Sequence, residues 1–186
     1  VDLKRILSIR VEKALNRDMI EEGVVGKIAA VSSTTHGDAR KAVELLRKSA
    51  EIAEKHGTRI TVDTVDTALS EIEKDKYVAL IKSAPRQLQA ALYSIISCPG
   101  FSSARLNTSE CYTEYRRLCK KVKLRGLTQR AFSDLVSELD IYGFIQSRII
   151  SKGRYGRCRE ISSILPAQVT ERLKQTLLLA FDLGSR

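Results

Sequence analysis

Along most of the chain, apolar residues recur at the three-to-four-residue spacing of amphipathic helices. Leu3, Ile6, Leu7, Val11, Ala14 and Leu15 predict a first helix over 3–15, and a second helical run covers 24–31 before the polar stretch 32–36. Ala42, Leu45, Leu46, Ser49, Ile52 and Ala53 form the buried stripe of a helix over 38–56, which Gly57 stops. Thr61 is placed to cap a fourth helix over 62–74, with Val65, Ala68, Leu69 and Ile72 inward. No strand alternation occurs up to residue 82, so the first half reads as a small all-α bundle. Residues 74–85 are the expected boundary, with Tyr77, Val78, Leu80 and Ile81 in a short bridging helix.

Pro85 suits the first turn of the next helix, where its missing N–H costs nothing. Leu88, Leu92, Ile95 and Ile96 give that helix its buried side, and Pro99-Gly100 breaks it. Thr108 or Ser109 starts another, with Cys111, Tyr115, Leu118, Cys119 and Val122 inward and Arg116, Arg117, Lys120, Lys121 and Lys123 mostly outward. Thr128 is the expected N-cap of a third, whose apolar face is Phe132, Leu135, Val136 and Leu139 and whose end is Gly143. The period then changes. Residues 144–151 and 158–165 read as strands around the basic, glycine-containing turn 152–157, which is a β-hairpin signal. A closing helix over 166–181 turns Val169, Leu173, Leu177 and Ala180 inward. Three helices followed by a hairpin is the order of a winged helix-turn-helix. In that fold the third helix enters a major groove and the hairpin tip reaches phosphates or the minor groove.

An ordinary solvated helix and hairpin is the plainer reading, and the charge argues against it. Lys152, Arg154, Arg157 and Arg159 fall within eight residues, offset only by Glu160, and Tyr155 between them can pack on a sugar or base. The chain of 186 residues carries net charge +10. Residues 1–82 hold 15 Lys and Arg against 14 Asp and Glu, net +1, whereas residues 83–186 hold 17 against 8, net +9. Positive charge concentrated in the half with the helix and hairpin points to a nucleic-acid surface. A membrane surface is disfavoured, because no long apolar segment or lipidation signal occurs.

Catalytic and metal chemistry finds little support. Cys98, Cys111, Cys119 and Cys158 form no C-x-x-C, and His36 and His56 lie far from them, so a zinc site is not expected. Dispersed cysteines without a signal peptide suggest a reducing cytoplasm. No GxxxxGK[S/T] loop, strand-borne acidic run or nucleophile triad spacing is present. Asp38 and Arg40 open the helix over 38–56. A helix N-terminus with an arginine suits an anion such as a phosphate, although an ordinary surface arginine is the commoner case. Val1 is no start methionine and the chain opens inside a helical pattern, so a fragment of a longer protein is expected.

These residues resemble a known family. Gly37-Asp38-Ala39-Arg40 with the residues to 47 resembles the sensor-two helix in the lid of AAA+ ATPases, and residues 3–12 resemble the segment entering that lid. Leu127-Thr128-Gln129-Arg130 with Ser133-Asp134-Leu135, and Ser151 through Arg157, resemble a recognition helix and wing. In this order they resemble archaeal DNA replication initiators of the origin-recognition and cell-division-control (Orc/Cdc) family. Cys158 stands where that pattern has threonine.

The resemblance implies a mainly α chain: an AAA+ lid helical bundle over 1–76, then a winged-helix DNA-binding domain over 77–186 with a β-hairpin wing. It implies Arg40 as the arginine that senses ATP phosphates once an ATPase core is attached. It implies Thr128, Gln129, Arg130 and Ser133 as recognition-helix contacts, and Lys152, Gly153, Arg154, Tyr155 and Arg157 as the wing, with Arg159 beside it. The expected partner is double-stranded origin DNA, with the replicative helicase and other initiator subunits as further ones, in a cytoplasmic, nucleoid-associated setting. No catalysis and no cofactor are expected of this chain itself, whereas the full-length protein would be an AAA+ ATPase using ATP or ADP with Mg. Two other readings stand beside this one. One is a protein-interaction module whose basic face meets the helicase. The other is an enzyme that works only with the ATPase core attached.

Overall fold

The computed structural model describes residues 3–15, 17–34, 38–101, 105–151 and 157–183. The fold is mainly α, as expected, and its contacts divide the chain into two compact units, Val1–Asp75 and Lys76–Arg186. The expected residues Lys152, Gly153, Arg154 and Tyr155 lie outside the described residues.

In the first unit, α1 (Leu3–Ala14), α2 (Val24–Thr34) and α3 (Ala39–His56) pack pairwise on one another, and α4 (Val62–Ser83) follows, its residues up to Asp75 belonging to this unit. Their core holds Leu7, Val11, Val24, Ile28, Leu45, Leu46, Ile60 and Val65. Helix α3 starts where Asp38 accepts a bond from the Arg40 N–H at 2.9 Å. It ends at Gly57, whose N–H reaches the Glu54 carbonyl while Thr58 N–H reaches that of Ala53. This is the paired closure that a left-handed residue permits. Thr61 opens α4 by accepting from the Thr64 N–H at 3.2 Å. One expectation fails here. The fourth helix does not stop near residue 74 with a separate bridging helix after it. It runs unbroken to Ser83. No Gly or Pro interrupts residues 74–83, and Lys, Asp, Tyr and Leu there continue a helix at little cost.

In the second unit, α5 (Arg86–Ile96) is the central helix. Leu88, Gln89, Ala90, Ala91, Leu92, Ser94, Ile95 and Ile96 are all buried. The amide of Gln89 lies in the core and donates to the carbonyls of Ile81, Lys82 and Ala84 where α4 ends. Around α5 pack α6 (Thr108–Lys121), α7 (Gln129–Ile141) and α8 (Ala167–Ala180). The hairpin strands are β2 (Gln146–Ser151) and β3 (Arg157–Ser162), shorter than expected at both outer ends. Phe144 and Ile145 are spent on the core before pairing begins. A two-residue strand, β1 (Leu106–Asn107), was not anticipated. It pairs antiparallel with β3 through Leu106–Ile161 and Asn107–Glu160, giving the sheet order β1-β3-β2.

Gly143 sits at φ 74°, with its N–H on the Asp140 carbonyl and Phe144 N–H on that of Leu139. Gly26, in α2, has open space where a Cβ would project. Opposite effects are therefore expected from one substitution. Gly143→Ala should destabilise by about 1–2 kcal/mol, because an L side chain strains the left-handed region. Gly26→Ala should stabilise by about 0.5–1 kcal/mol by restricting the unfolded chain. Urea unfolding of the two variants checks both signs.

Candidate nucleic-acid interface

The site is built from the turn that delivers α7. Tyr112 and Tyr115 of α6 meet Phe132 of α7 with ring centroids 5.5 Å and 4.9 Å apart. Tyr115 is fully buried, and burial pushes its phenol up to about 12. Its hydroxyl donates to Gln87 Oε1 and accepts the Leu127 N–H at 3.2 Å. Tyr112 Oη donates to the Leu127 carbonyl at 2.9 Å, and Gln87 Nε2 to that of Arg125 at 2.8 Å. The Arg116 side chain lies against Gly126, where an added Cβ would come within 3.3 Å of its Cδ. The turn between α6 and α7 is thus tied to the core on both sides of Gly126. Thr128 then starts α7 by accepting the Ala131 N–H.

Beyond this turn lies an open groove of about 550 Å³. Thr108 and Ser109 line it from the start of α6, Gln129, Arg130 and Ser133 from the start of α7, and Ile149, Cys158 and Arg159 from the hairpin. Gln129 and Arg130 are exposed. Arg159 is half-buried, and its Nη1 donates to the Ser133 carbonyl at 2.8 Å and to Ser137 Oγ at 2.7 Å. Its own carbonyl accepts from Thr108 Oγ1 at 2.9 Å. A second tie, Ser147 Oγ to Asp140 Oδ2 at 2.7 Å, fixes β2 to the far end of α7. Cys158 Sγ points at Asn107 Oδ1, 3.1 Å away. The hairpin root is therefore tied to α7 at two places, through Arg159 and through Ser147.

Of the residues expected from sequence, the structure brings Gln129, Arg130, Ser133 and Arg159 to this groove. The Thr128 hydroxyl is engaged in capping, and Arg157 opens β3 opposite Ser151. Thr108, Ser109 and Ile149 were missed. Ile149 is 60% exposed although it belongs to an apolar run, and it pairs with Arg159 in the ladder. Strand register alone reveals which of Ile149 and Ile150 faces the groove.

In the first unit, Arg40 is exposed at the start of α3 and lines a second open groove of about 490 Å³ with Ile6, Arg10, Val43, Glu44 and Arg47. Arg47 pairs with Glu51 at 3.5 Å. Among the described residues, no carboxylate lies within ion-pair distance of Arg10 or Arg40. Arg10, one helix away, had no sequence signal that joined it to Arg40. No group of His, Cys, Asp and Glu among the described residues is arranged to hold a metal, and no described helix is long and apolar enough to cross a membrane.

A helical unit with an arginine at the head of α3, followed by a winged helix-turn-helix, defines the class. Residues 4–70 match the Cdc6 AAA+ ATPase-type lid domain, and residues 79–172 match the CDC6 C-terminal winged helix domain. The chain belongs to the Orc1/Cdc6 family of DNA replication initiators, of which it carries the lid and the winged helix. It is 44% identical over 160 residues to the ORC1-type DNA replication protein of Pyrococcus abyssi, covering 86% of this chain and 38% of that protein. It is 43% identical over 160 residues to the ORC1-type DNA replication protein 1 of Archaeoglobus fulgidus, covering 86% and 39%. The Aeropyrum pernix ORC1 protein, solved in complex with DNA, superposes with a TM-score of 0.74 at 34% identity, covering 96% of this chain and 47% of that one. The chain therefore spans roughly two-fifths of the length of the curated relatives it matches.

The Arg159 tie generates a prediction. Arg159→Ala leaves the Ser133 carbonyl and Ser137 without their cationic partner. It should lower stability by roughly 1.5–3 kcal/mol, the range for bonds to a charged group. Native-state hydrogen exchange should show the loss concentrated in the amides of β2 and β3.

Proposed function

We propose that the winged-helix unit is a sequence-preferring binder of duplex DNA at replication origins. The observation that carries this reading is the groove itself, where exposed Gln129 and Arg130 at the head of α7 stand beside a hairpin root that Arg159 holds in place. In this mechanism α7 lies in the major groove. Arg130 has the fork geometry that matches O6 and N7 of guanine, and Gln129 the amide that matches N6 and N7 of adenine. Ser133 sits one turn further along, within reach of a phosphate or base edge. Lys152, Arg154, Tyr155 and Arg157 would follow the neighbouring phosphates into the minor groove. The net +9 of residues 83–186 supplies the long-range attraction. Arg159 acts as a positioning residue, since its guanidinium is engaged by α7. That the DNA-bound Aeropyrum pernix protein shares this fold at 34% identity supports the reading.

In the full-length protein, Arg40 would turn toward the phosphates of ATP or ADP bound with Mg in an ATPase core. Its exposure and its free guanidinium at the head of α3 support that role. The nucleotide-cradling loop is not among residues 1–186, so this role would belong to the longer protein. The parent protein would be the AAA+ ATPase, and this chain its sensing lid and DNA reader.

Fluorescence anisotropy with an origin-repeat duplex and a scrambled one tests the DNA reading. Arg130→Ala should cost about 1–3 kcal/mol on the preferred duplex and far less on the scrambled one. Unchanged affinity for both duplexes would remove α7 from the interface.

A further inference from the structure

The turn between α6 and α7 carries a second basic surface that the groove does not include. Arg117, Lys120, Lys121, Lys123 and Arg125 are all exposed. Arg117 is 3.6 Å from Glu114, but among the described residues no carboxylate lies within ion-pair distance of Lys120, Lys121, Lys123 or Arg125. Unpaired like charges this close repel one another unless an anion faces them.

The backbone of Lys123 adds an independent observation. Four helices end through the same closure, in which one residue takes a left-handed conformation and the next N–H reaches back five residues; in α8 that residue is Asp182, at φ 51°, with Leu183 N–H on the Leu178 carbonyl. In α3 that residue is Gly57, and in α7 it is Gly143. In α6 it is Lys123, at φ 55°, with Leu124 N–H on the Cys119 carbonyl at 2.9 Å. Glycine takes this conformation freely, whereas a lysine there is strained. Among the described residues, no carboxylate lies within ion-pair distance of its ammonium to offset the strain. Strained residues of this kind mark functional positions more often than chance. The turn is also rigid, with Arg125 and Leu127 held by Gln87, Tyr112 and Tyr115. The charge is therefore presented at a fixed place, five residues before the N-cap of α7.

A recognition helix that enters a major groove by its N-terminal end brings the preceding turn over the sugar–phosphate strand bordering that groove. We infer that Lys123, flanked by Lys120, Lys121 and Arg125, is a sequence-independent clamp on that strand. The inference rests on the duplex-binding reading and adds to it a contact surface that reads charge and not bases.

Lys123→Gly separates stability from binding, because it should improve one and impair the other. Its Tm should rise by about 2–8 °C. Its affinity should fall about threefold to tenfold at low salt, by the same factor on preferred and scrambled duplexes, and the slope of log K against log salt should flatten by about one. Lys123→Arg, which keeps the charge on the same backbone, should retain the original slope. The clamp is overturned if Lys123→Gly leaves affinity and slope unchanged on both duplexes, as it would if this surface faced an acidic protein instead. It is overturned equally if the loss is confined to the preferred duplex. Failure of the unsubstituted chain to bind any duplex would sink the underlying reading along with the clamp.

Discussion

The second unit depends on the packing of Tyr112 and Tyr115 against Phe132. Tyr115 and Phe132 are fully buried with their ring centroids 4.9 Å apart, and both tyrosine hydroxyls bond the backbone of Leu127. The rings fix how closely α7 approaches α6. The hydroxyls fix where the turn between them ends and so where α7 begins. The Tyr115 hydroxyl donates to Gln87 and accepts from Leu127 together. With the inward positions Phe132, Val136 and Leu139 settled in the core, the outward direction of Gln129 and Arg130 follows from helix geometry.

The hairpin adds reach, and it is held by polar ties. A two-stranded hairpin is marginal by itself in water. Here Ile161 enters the core, β1 pairs with the other edge of β3, and Arg159 and Ser147 bond the two ends of α7. A cation that a sequence reader would aim at DNA is therefore bonded to α7 and ties the root of the hairpin to that helix.

Much of this was legible beforehand, for physical reasons. The stripes of α3, α6 and α7 are long and strictly periodic, and glycines 57 and 143 stand where the chain needs a left-handed residue. What escaped lacks a periodic signal. Strand β1 is two residues long and exists only because β3 offers it an edge. Helix α4 passes through a charged stretch that resembles a linker but contains nothing to break a helix. Spacing cannot say whether Arg159 points to solvent or to Ser133, nor that an apolar Ile149 remains 60% exposed beside it. Lys123 looks like one surface lysine among several until its backbone angle is seen.

The central claim is that α7 and the hairpin root form one surface that meets duplex DNA. The most direct test is an NMR titration of the labelled chain with an origin-repeat duplex, read at every backbone amide. The account predicts that the largest shift changes fall together on residues 128–137 and 146–151 and on the turn at 123–127, saturating at one common concentration. Perturbations gathered instead on α5 and α8, with the amides of α7 unmoved, would contradict it.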